Sequence, residues 1–209
     1  MIHPDTEIQF INHEIGYGVV ATKLIPKGTI TWVMDQLDRV FTVEDISRLD
    51  PIYYEILDKY SFLDNQGNFV LCWDNGRFVN HSFNPSCITT AYNYELAVKD
   101  IYPGDQLTDD YGFLNVPKPF KCIKEKGTSR KEVLPDDLLR LHRRWDRKLK
   151  SAYRSFNKVK QPLLKFLDPE IFQLTQKVVQ GEKEMDSIIN CYYRGPRFDL
   201  EELSSAKNI

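Results

Sequence analysis

The first third of the chain alternates short apolar segments with turn-forming residues. Apolar and β-branched residues fill positions 8–11, 19–21 and 29–33, and Gly16-Tyr17-Gly18 and Pro26-Lys27-Gly28 separate them. Short apolar runs bounded by glycine and proline are typical of strands and tight turns, so this pattern predicts three strands. The glycine loop permits positive φ and a close backbone approach to a ligand, although a plain hairpin turn is the commoner reason for Gly-x-Gly.

The spacing of apolar residues becomes helical over residues 42–60. Thr42 and Asp45 have the pattern of a capping box, with the shorter Asp in place of Glu. The apolar positions that follow recur every three or four residues despite Pro51, which predicts one or two short helices. These positions are Ile46, Leu49, Ile52, Tyr53 and Ile56.

Strand-like segments return after this helical insert. Residues 69–73 are an apolar run that predicts a buried strand, and Asp74-Asn75-Gly76 predicts a turn. Further along, residues 88–94 and 96–98 predict a hairpin, and residues 101–105 predict another turn.

A polar triplet, Asn80-His81-Ser82, directly follows the apolar pair Phe78-Val79. Pro85 disfavours a helical Asn84, and Asn and Ser side chains compete for backbone hydrogen bonds, so the triplet is expected to lead from a short strand into a turn. A polar turn at the end of a buried strand is a candidate functional site. An Asx-type turn with a satisfied histidine is the alternative.

Pro117-Lys118-Pro119 interrupts the strand pattern and marks a boundary near residue 116. Residues 121–131 are polar and basic enough for a mobile linker, so segment 117–135 is predicted to connect two units. The first unit is residues 1–116 and the second is a helical C-terminal region, 136–209.

Two helices are predicted in the C-terminal region. The second runs from Glu170 to about Asn190, and the chain is expected to fray from Gly195. The first has apolar positions with the period of an amphipathic helix. Those positions are Leu138, Leu141, Trp145, Leu149, Ala152 and Phe156.

Charge divides the chain in the same place. The net charge of −2 combines −10 for residues 1–116 with +8 for residues 117–209. The acidic part would attract a lysine-rich ligand more readily than nucleic acid, or the two parts dock on each other. The opposite face of the first C-terminal helix is basic, and it either docks on the acidic part or grips phosphates or an acidic partner. Its basic residues are Arg140, Arg143, Arg144, Arg147, Lys148, Lys150, Arg154, Lys158 and Lys160.

Composition is that of a soluble intracellular protein, cytoplasmic or nuclear. Hydrophobic residues make up 42% of the chain, enough for a sizeable core, and neither a secretory signal nor a membrane-spanning apolar run is present. The cysteines are too widely spaced for a disulfide framework or a structural zinc site, so they are expected to be reduced thiols. They are Cys72, Cys87, Cys122 and Cys191.

Three ordered motifs resemble those of the SET-domain protein lysine methyltransferases. Residues 16–28 resemble the opening glycine motif and its downstream turn, and residues 77–85 resemble the Arg-Phe-Ile-Asn-His-Ser-Cys-x-Pro-Asn signature. Residues 97–112 resemble the last motif, with its Glu-Leu-Thr-x-Asp-Tyr-Gly pattern. The resemblance covers residues 8–112, whereas residues 113–209 resemble no family that we can name.

The resemblance implies a mainly β fold of the β-clip type with short helices, a pseudoknot-like threading of the last motif and an α-helical C-terminal region. It also implies S-adenosylmethionine as the methyl donor and no zinc, because the zinc-binding tail of many members is missing and Phe83 stands where they have cysteine. Ser86 replaces the final Asn of the signature. The residues that match the donor-binding positions are Gly16, Tyr17, Gly18, Arg77, Asn80 and His81.

By the same resemblance, Tyr111 borders both the methyl group and the target amine and is the predicted catalytic residue. Asp109 stands where the family often has the Phe or Tyr that controls how many methyl groups are added. Aromatic walls suit a lysine channel because they tolerate methylated ammonium. Tyr60, Tyr92 and Tyr94 are candidates for this wall, although each is more often a core or sheet tyrosine.

The sequence therefore predicts an S-adenosylmethionine-dependent methyltransferase that acts on a lysine of a protein or peptide, a histone or another basic protein. The alternative is a catalytically weak SET-like binding module that holds a partner with its acidic cleft and basic C-terminal helices. Nucleic acid is not expected as a substrate, because only charge would support it. No membrane contact is expected, and the oligomeric state is left open.

Overall fold

The N-terminal strands form a hairpin and a small central sheet, as the alternation of apolar segments and turns predicts. This computed structural model describes residues 1–200, and the predicted helical region 136–209 therefore lies in part outside the described residues, at 201–209. The antiparallel hairpin consists of β1 (Thr6–Asn12) and β2 (Gly16–Ala21). The sheet has the order β3-β9-β8, from β3 (Ile30–Val33), β8 (Cys87–Thr89) and β9 (Tyr94–Ala97).

The helical insert forms two short helices, and the strands before and after it in the chain form a second small sheet. Thr42 caps the first helix, and the reciprocal bonds between Thr42 and Asp45 complete the predicted capping box. Both helices bury apolar residues, among them Ile46 and Leu57, against the sheet. The helices are α1 (Val43–Arg48) and α2 (Tyr54–Tyr60), and the sheet has the order β4-β6-β5, from β4 (Arg39–Phe41), β5 (Ser61–Leu63) and β6 (Phe69–Leu71).

The segment that carries the last motif is hydrogen-bonded to the Asn-His element on one side and to β2 on the other. Its strand β10 (Thr108–Asp109) pairs in parallel with β7 (Asn80–His81). On its other side, the Leu107 amide donates to the Val19 carbonyl at 2.8 Å. The Asn-His element, the last motif and the strand after the glycine loop are therefore held together by backbone hydrogen bonds.

Segment 117–135 is more ordered than the mobile linker that its composition predicts. Strands β11 (Phe120–Lys121) and β12 (Glu132–Val133) pair in an antiparallel hairpin. Arg130 forms ion pairs with Asp110 and Asp137, both buried. Charged residues of this segment therefore have partners in other parts of the fold, which a polar composition does not reveal.

The C-terminal helices share a core with the β-rich part. They are α3 (Asp137–Tyr153) and α4 (Pro169–Gln180). Trp145 of α3 packs edge-on against Phe113 with 5.5 Å between ring centroids, and Leu149 is fully buried in the same cluster as Ile30 and Leu96. The apolar face of α3 makes this contact, and most of its basic face stays exposed. The structure is thus mainly β with a helical C-terminal part, as predicted.

No helix among residues 1–200 combines the length and the apolar character needed to cross a bilayer.

Candidate active site

The glycine loop is held against the Asn-His element by the side chain of Asn80. The Asn80 amide donates to the Tyr17 carbonyl at 3.1 Å and to Gln106 Oε1 at 3.0 Å. Gly18 lies directly beneath this pair, where a Cβ atom would come within 2.6 Å of both Asn80 Nδ2 and Gln106 Oε1. Gly16 has φ of +81°, which forms the tight turn into β2. Gly18 is therefore needed for the close packing against Asn80, and Gly16 for the backbone conformation of the turn.

His81 is a neutral histidine with one ring nitrogen unused. Its Nδ1 accepts a hydrogen bond from the Tyr111 amide at 3.1 Å, so the ring proton lies on Nε2. Burial lowers the pKa of His81 to about 4, with Arg130 acting in the same direction and Glu125 against it. Nε2 is buried without a hydrogen-bond partner among the described residues. This N–H is therefore available to a hydrogen-bond acceptor of a ligand.

Tyr111 lies against His81 and donates a hydrogen bond to the backbone. Its hydroxyl donates to the Val79 carbonyl at 2.9 Å, and its ring centroid is 5.3 Å from that of His81. Burial raises the pKa of Tyr111, and the nearby Asp109 and Cys122 raise it further. The hydroxyl therefore stays protonated, with its oxygen lone pairs free to accept.

The hairpin of segment 117–135 forms one wall of this site. The Phe120 ring lies 6.1 Å from the Tyr111 ring and 6.4 Å from His81, and 46% of Phe120 is exposed. The Glu125 carboxylate accepts from the Phe83 amide and the Ser82 hydroxyl, each at 3.1 Å. The hairpin is therefore attached to the segment that follows His81.

Phe83, which follows the Asn-His-Ser triplet, is in contact with the segment that leads to the helices. The Arg130 guanidinium lies 4.3 Å above the Phe83 ring while it pairs with Asp110 and Asp137. A cation–π contact and two buried ion pairs thus join the motif to the C-terminal part. Among residues 1–200, no three His, Cys, Asp or Glu residues are grouped as metal ligands would be.

Tyr60 and Arg77 lie beside the site without touching His81 or Tyr111 in any recorded contact. The Tyr60 ring packs edge-on against Phe78 at 5.4 Å, close to the start of β7. Arg77 is exposed, and its guanidinium lies 5.3 Å from the same Phe78 ring. Tyr60 therefore remains a candidate for the channel wall, whereas Arg77 donates to the Trp73 carbonyl at 3.4 Å and not to the glycine loop or the last motif.

Tyr92 and Tyr94 belong to the core and not to a channel, which corrects the sequence-based prediction. The Tyr94 hydroxyl bonds to the Tyr153 hydroxyl at 2.7 Å, and the Tyr92 hydroxyl accepts from the Asp186 amide at 2.7 Å. Both residues are at most 1% exposed. Their partners lie in α3 and the chain after α4, which the sequence did not place next to this hairpin.

Asp109 is buried beside a second carboxylic acid, Glu95. Their carboxyl groups lie close enough to shift each other's pKa, and Asp109 Oδ1 has no hydrogen-bond partner among the described residues. Burial raises the pKa of Glu95 to about 7, and burial together with Glu95 raises that of Asp109 well above its ordinary value. Sequence reasoning identified Asp109 but missed Glu95.

Five residues of the site were missed by the sequence analysis, and one of them, Glu95, had a local signal in the sequence. A carboxylate inside the apolar strand Tyr94-Glu95-Leu96-Ala97 is out of place unless it has a buried partner. The others gave no local signal, because their partners are distant in sequence. The missed residues are Glu95, Gln106, Phe120, Glu125 and Arg130.

Comparisons with known proteins agree with the motif pattern. A family model described as SET domain matches residues 16–112. The chain is similar to histone-lysine N-methyltransferase Set2 of Drosophila melanogaster, with 30% identity over 134 residues, which covers 58% of this chain and 6% of that protein. The chain thus spans a small part of that relative. A histone methyltransferase candidate of Plasmodium falciparum superposes with a TM-score of 0.39 and 18% identity, over 53% of this chain and 95% of the other.

Proposed function

We propose, from the match of the SET-domain model to residues 16–112, that the protein belongs to that family and is an S-adenosylmethionine-dependent methyltransferase acting on a lysine of a protein substrate. The substrate class that fits best is a histone or another basic protein. The acidic character of residues 1–116, with net charge −10, favours a lysine-rich ligand over nucleic acid.

The observation that carries the proposal is the convergence of three separate segments on one place. Asn80 fixes the glycine loop through the Tyr17 carbonyl, and His81 fixes the last motif through the Tyr111 amide. The unused His81 Nε2 and the close approach that Gly18 permits both fit a polar cofactor lying against this backbone. When bound, S-adenosylmethionine supplies an electrophilic methyl group on a sulfonium cation.

The residues of the chain have two tasks in such a transfer. The first is alignment, which the loop, Asn80 and His81 provide by fixing the donor relative to the lysine entrance. The second is electrostatic: the Tyr111 oxygen and the Val79 carbonyl present negative dipoles where positive charge moves from sulfur to nitrogen. Because Tyr111 stays protonated, its hydroxyl orients the amine without acting as a base.

Calorimetry tests the cofactor assignment. Titration of the folded protein with S-adenosylmethionine or its demethylated product should give a heat of binding and a matching rise in melting temperature. A folded protein that gives no heat at millimolar donor contradicts the assignment.

Mass spectrometry tests the reaction. The protein is incubated with isotopically labelled donor and, in separate tubes, core histones, ribosomal proteins or itself, and methylated lysines are then mapped. Methyl groups on lysine support the proposal. Donor binding without methyl transfer, together with retention of a basic protein, supports the alternative of a SET-like binding module.

A further inference from the structure

Two acids, Glu95 and Asp109, are buried together next to the proposed catalytic tyrosine. Glu95 is 8% exposed and Asp109 is 5% exposed. Glu95 lies on β9, and Asp109 lies on β10 opposite His81. The pair thus joins the central sheet to the element that carries Tyr111.

The pair must hold at least one shared proton near neutral pH. Two carboxylates in contact inside a protein repel each other, and no Lys or Arg among the described residues forms an ion pair with either acid. One proton between them removes the repulsion and satisfies the contact, so they titrate as a unit. The pair then carries one negative charge.

One oxygen of the pair is left without a hydrogen-bond partner among the described residues. Asp109 Oδ1 is buried and has no donor from the described residues. Asp110 between them is extended, so Asp109 and Tyr111 leave the chain on the same side. In agreement, the Asp109 charge contributes, after burial, to the raised pKa of Tyr111. A buried acceptor without a donor is unfavourable in the free protein and is relieved when a cation donates to it.

We infer that the Glu95–Asp109 pair receives the substrate ammonium and accepts its proton before methyl transfer, an inference that rests on the proposed function. The aromatic walls of a channel can desolvate an ammonium but cannot take its proton, and the Tyr111 hydroxyl is already protonated. The pair is the group near Tyr111 that combines negative charge with a free acceptor.

The proton transfer balances within the pair. One N–H bond of the ammonium breaks, its electron pair stays on nitrogen as the lone pair, and the proton passes to Asp109 Oδ1. The proton already shared shifts toward Glu95. The result is a neutral amine and a neutral pair of carboxylic acids, which later returns one proton to solvent. The amine can then attack with its lone pair.

The titratable groups that face the pair are two thiols, His81, Tyr111, Asp110 and the terminal ammonium of Met1. Cys87 on β8 and Cys72 after β6 have pKa values raised by burial, so both stay neutral thiols. On the pair's own element, Tyr111 stays protonated and Asp110 is paired with Arg130. The terminal ammonium of Met1 acts on Glu95 from the sheet edge and favours its charged form.

The test uses single-turnover methyl transfer by the full chain, from pH 5.5 to 9, on the substrate found with the labelled donor. In the wild type the rate should rise to about pH 7 and then level off, because the accepting form of the pair is populated there. Asp109→Asn should lower the plateau roughly 100-fold and remove the inflection, and Glu95→Gln should displace it. Asp146→Asn, the same change in a carboxylate bonded to Ser187 and Ile188, should leave the profile unchanged.

A second measurement does not need activity. The raised pKa of Glu95 means that its contribution to stability is fully present below about 4.5 and is lost as pH rises through about 7. Urea unfolding of the wild type should show this decline, and Glu95→Gln should reduce it, with the part that comes from the buried Asp109 remaining. The absence of a decline shows that the carboxyl groups do not share a proton, which overturns the inference even if the variants fail to fold.

The outcomes separate this inference from the proposed function. A wild-type rate that keeps rising toward the ordinary lysine pKa of about 10.4 means that the proton goes to solvent, and the inference is wrong while the function stands. Unchanged transfer in Asp109→Asn has the same meaning. A wild type that binds no donor and methylates nothing overturns the function itself.

Discussion

Tyr111 occupies a position where one hydroxyl has two different uses. It donates to the Val79 carbonyl, and its oxygen is proposed to orient the amine. The same atom would be an ordinary core hydroxyl if no substrate reached it. The residue is therefore the sharpest single test of the proposed reaction.

We predict that Tyr111→Phe lowers kcat by roughly 10- to 1,000-fold, about 1.4 to 4 kcal/mol, with much less change in donor affinity. The ring remains, but the oxygen that stabilises the moving charge is lost. Single-turnover transfer and donor titration measure the two effects separately. If the hydroxyl is only structural, transfer will be unchanged and stability will fall slightly from the lost bond to Val79.

Gly18 gives a test of the donor site that does not touch the catalytic tyrosine. A Cβ at Gly18 must displace the Asn80 and Gln106 side chains, since it would lie 2.6 Å from each. We predict that Gly18→Ala weakens donor binding about 10-fold or more, while the free energy of unfolding changes by only about 1 kcal/mol because flexible side-chain ends can move. Calorimetry and urea unfolding measure these quantities.

The matched control is Gly104→Ala, where a Cβ meets no atom within 4 Å. Gly104 has φ of +90°, so this change introduces backbone strain without reaching Asn80. Equal losses of donor binding in both variants would mean that Gly18 acts through stability alone.

At the scale of elements, the hairpin of β11 and β12 connects the site to the helical part. Arg130 is its main anchor, because Asp110 and Asp137 are buried carboxylates with 1% and 5% of their side chains exposed. Loss of the guanidinium would leave both without a cation. The hairpin thus links the segment after His81 to the helical part by ion pairs and a contact with Phe83.

We predict that Arg130→Met destabilises the protein by about 3 to 5 kcal/mol, the usual effect of removing one partner of a buried ion pair. Donor binding should weaken as well, since Phe120 and Glu125 are on the same hairpin. The control is Arg140→Met, whose exposed pair with Asp136 contributes about 0.5 kcal/mol or less. Equal midpoints of urea unfolding for the two variants would show that Arg130 is not an anchor.

At the scale of the molecule, one core joins the β-rich part to the helices. Ile30, Ile88 and Leu96 from the central sheet lie in the same buried cluster as Trp145 and Leu149 of α3. The domain boundary near residue 116 remains a prediction. The buried cluster contains residues from both sides of it. Independent folding of residues 1–116 is therefore not expected.

We predict that a chain truncated after residue 116 lacks a cooperative unfolding transition, because the sheet would expose the surface that α3 covers. Trp145→Ala in the full chain is the milder test and should cost about 3 to 5 kcal/mol. Circular dichroism during urea unfolding measures both. A truncated chain with full stability and activity would show that the helices are an independent appendage.

Local sequence determined the elements whose signals are short-range. The glycine loop, the capping box at Thr42, the strands near 19–21 and 30–33 and the amphipathic α3 were predicted because turn chemistry and apolar spacing act over a few residues. The three motifs also identified Asn80, His81 and Tyr111, which the structure brings together.

Tertiary structure alone decided which polar residues have partners. In sequence, Tyr92 and Tyr94 fit a channel wall, but in the fold α3 and the chain after α4 bury them. In sequence, segment 117–135 has the composition of a linker, but in the fold its Arg130 forms an ion pair with Asp110. Glu95 and Asp109 are 14 positions apart in the sequence, and they become a buried pair only in the folded chain. Desolvation and charge pairing depend on everything packed around a group, so no local pattern can specify them.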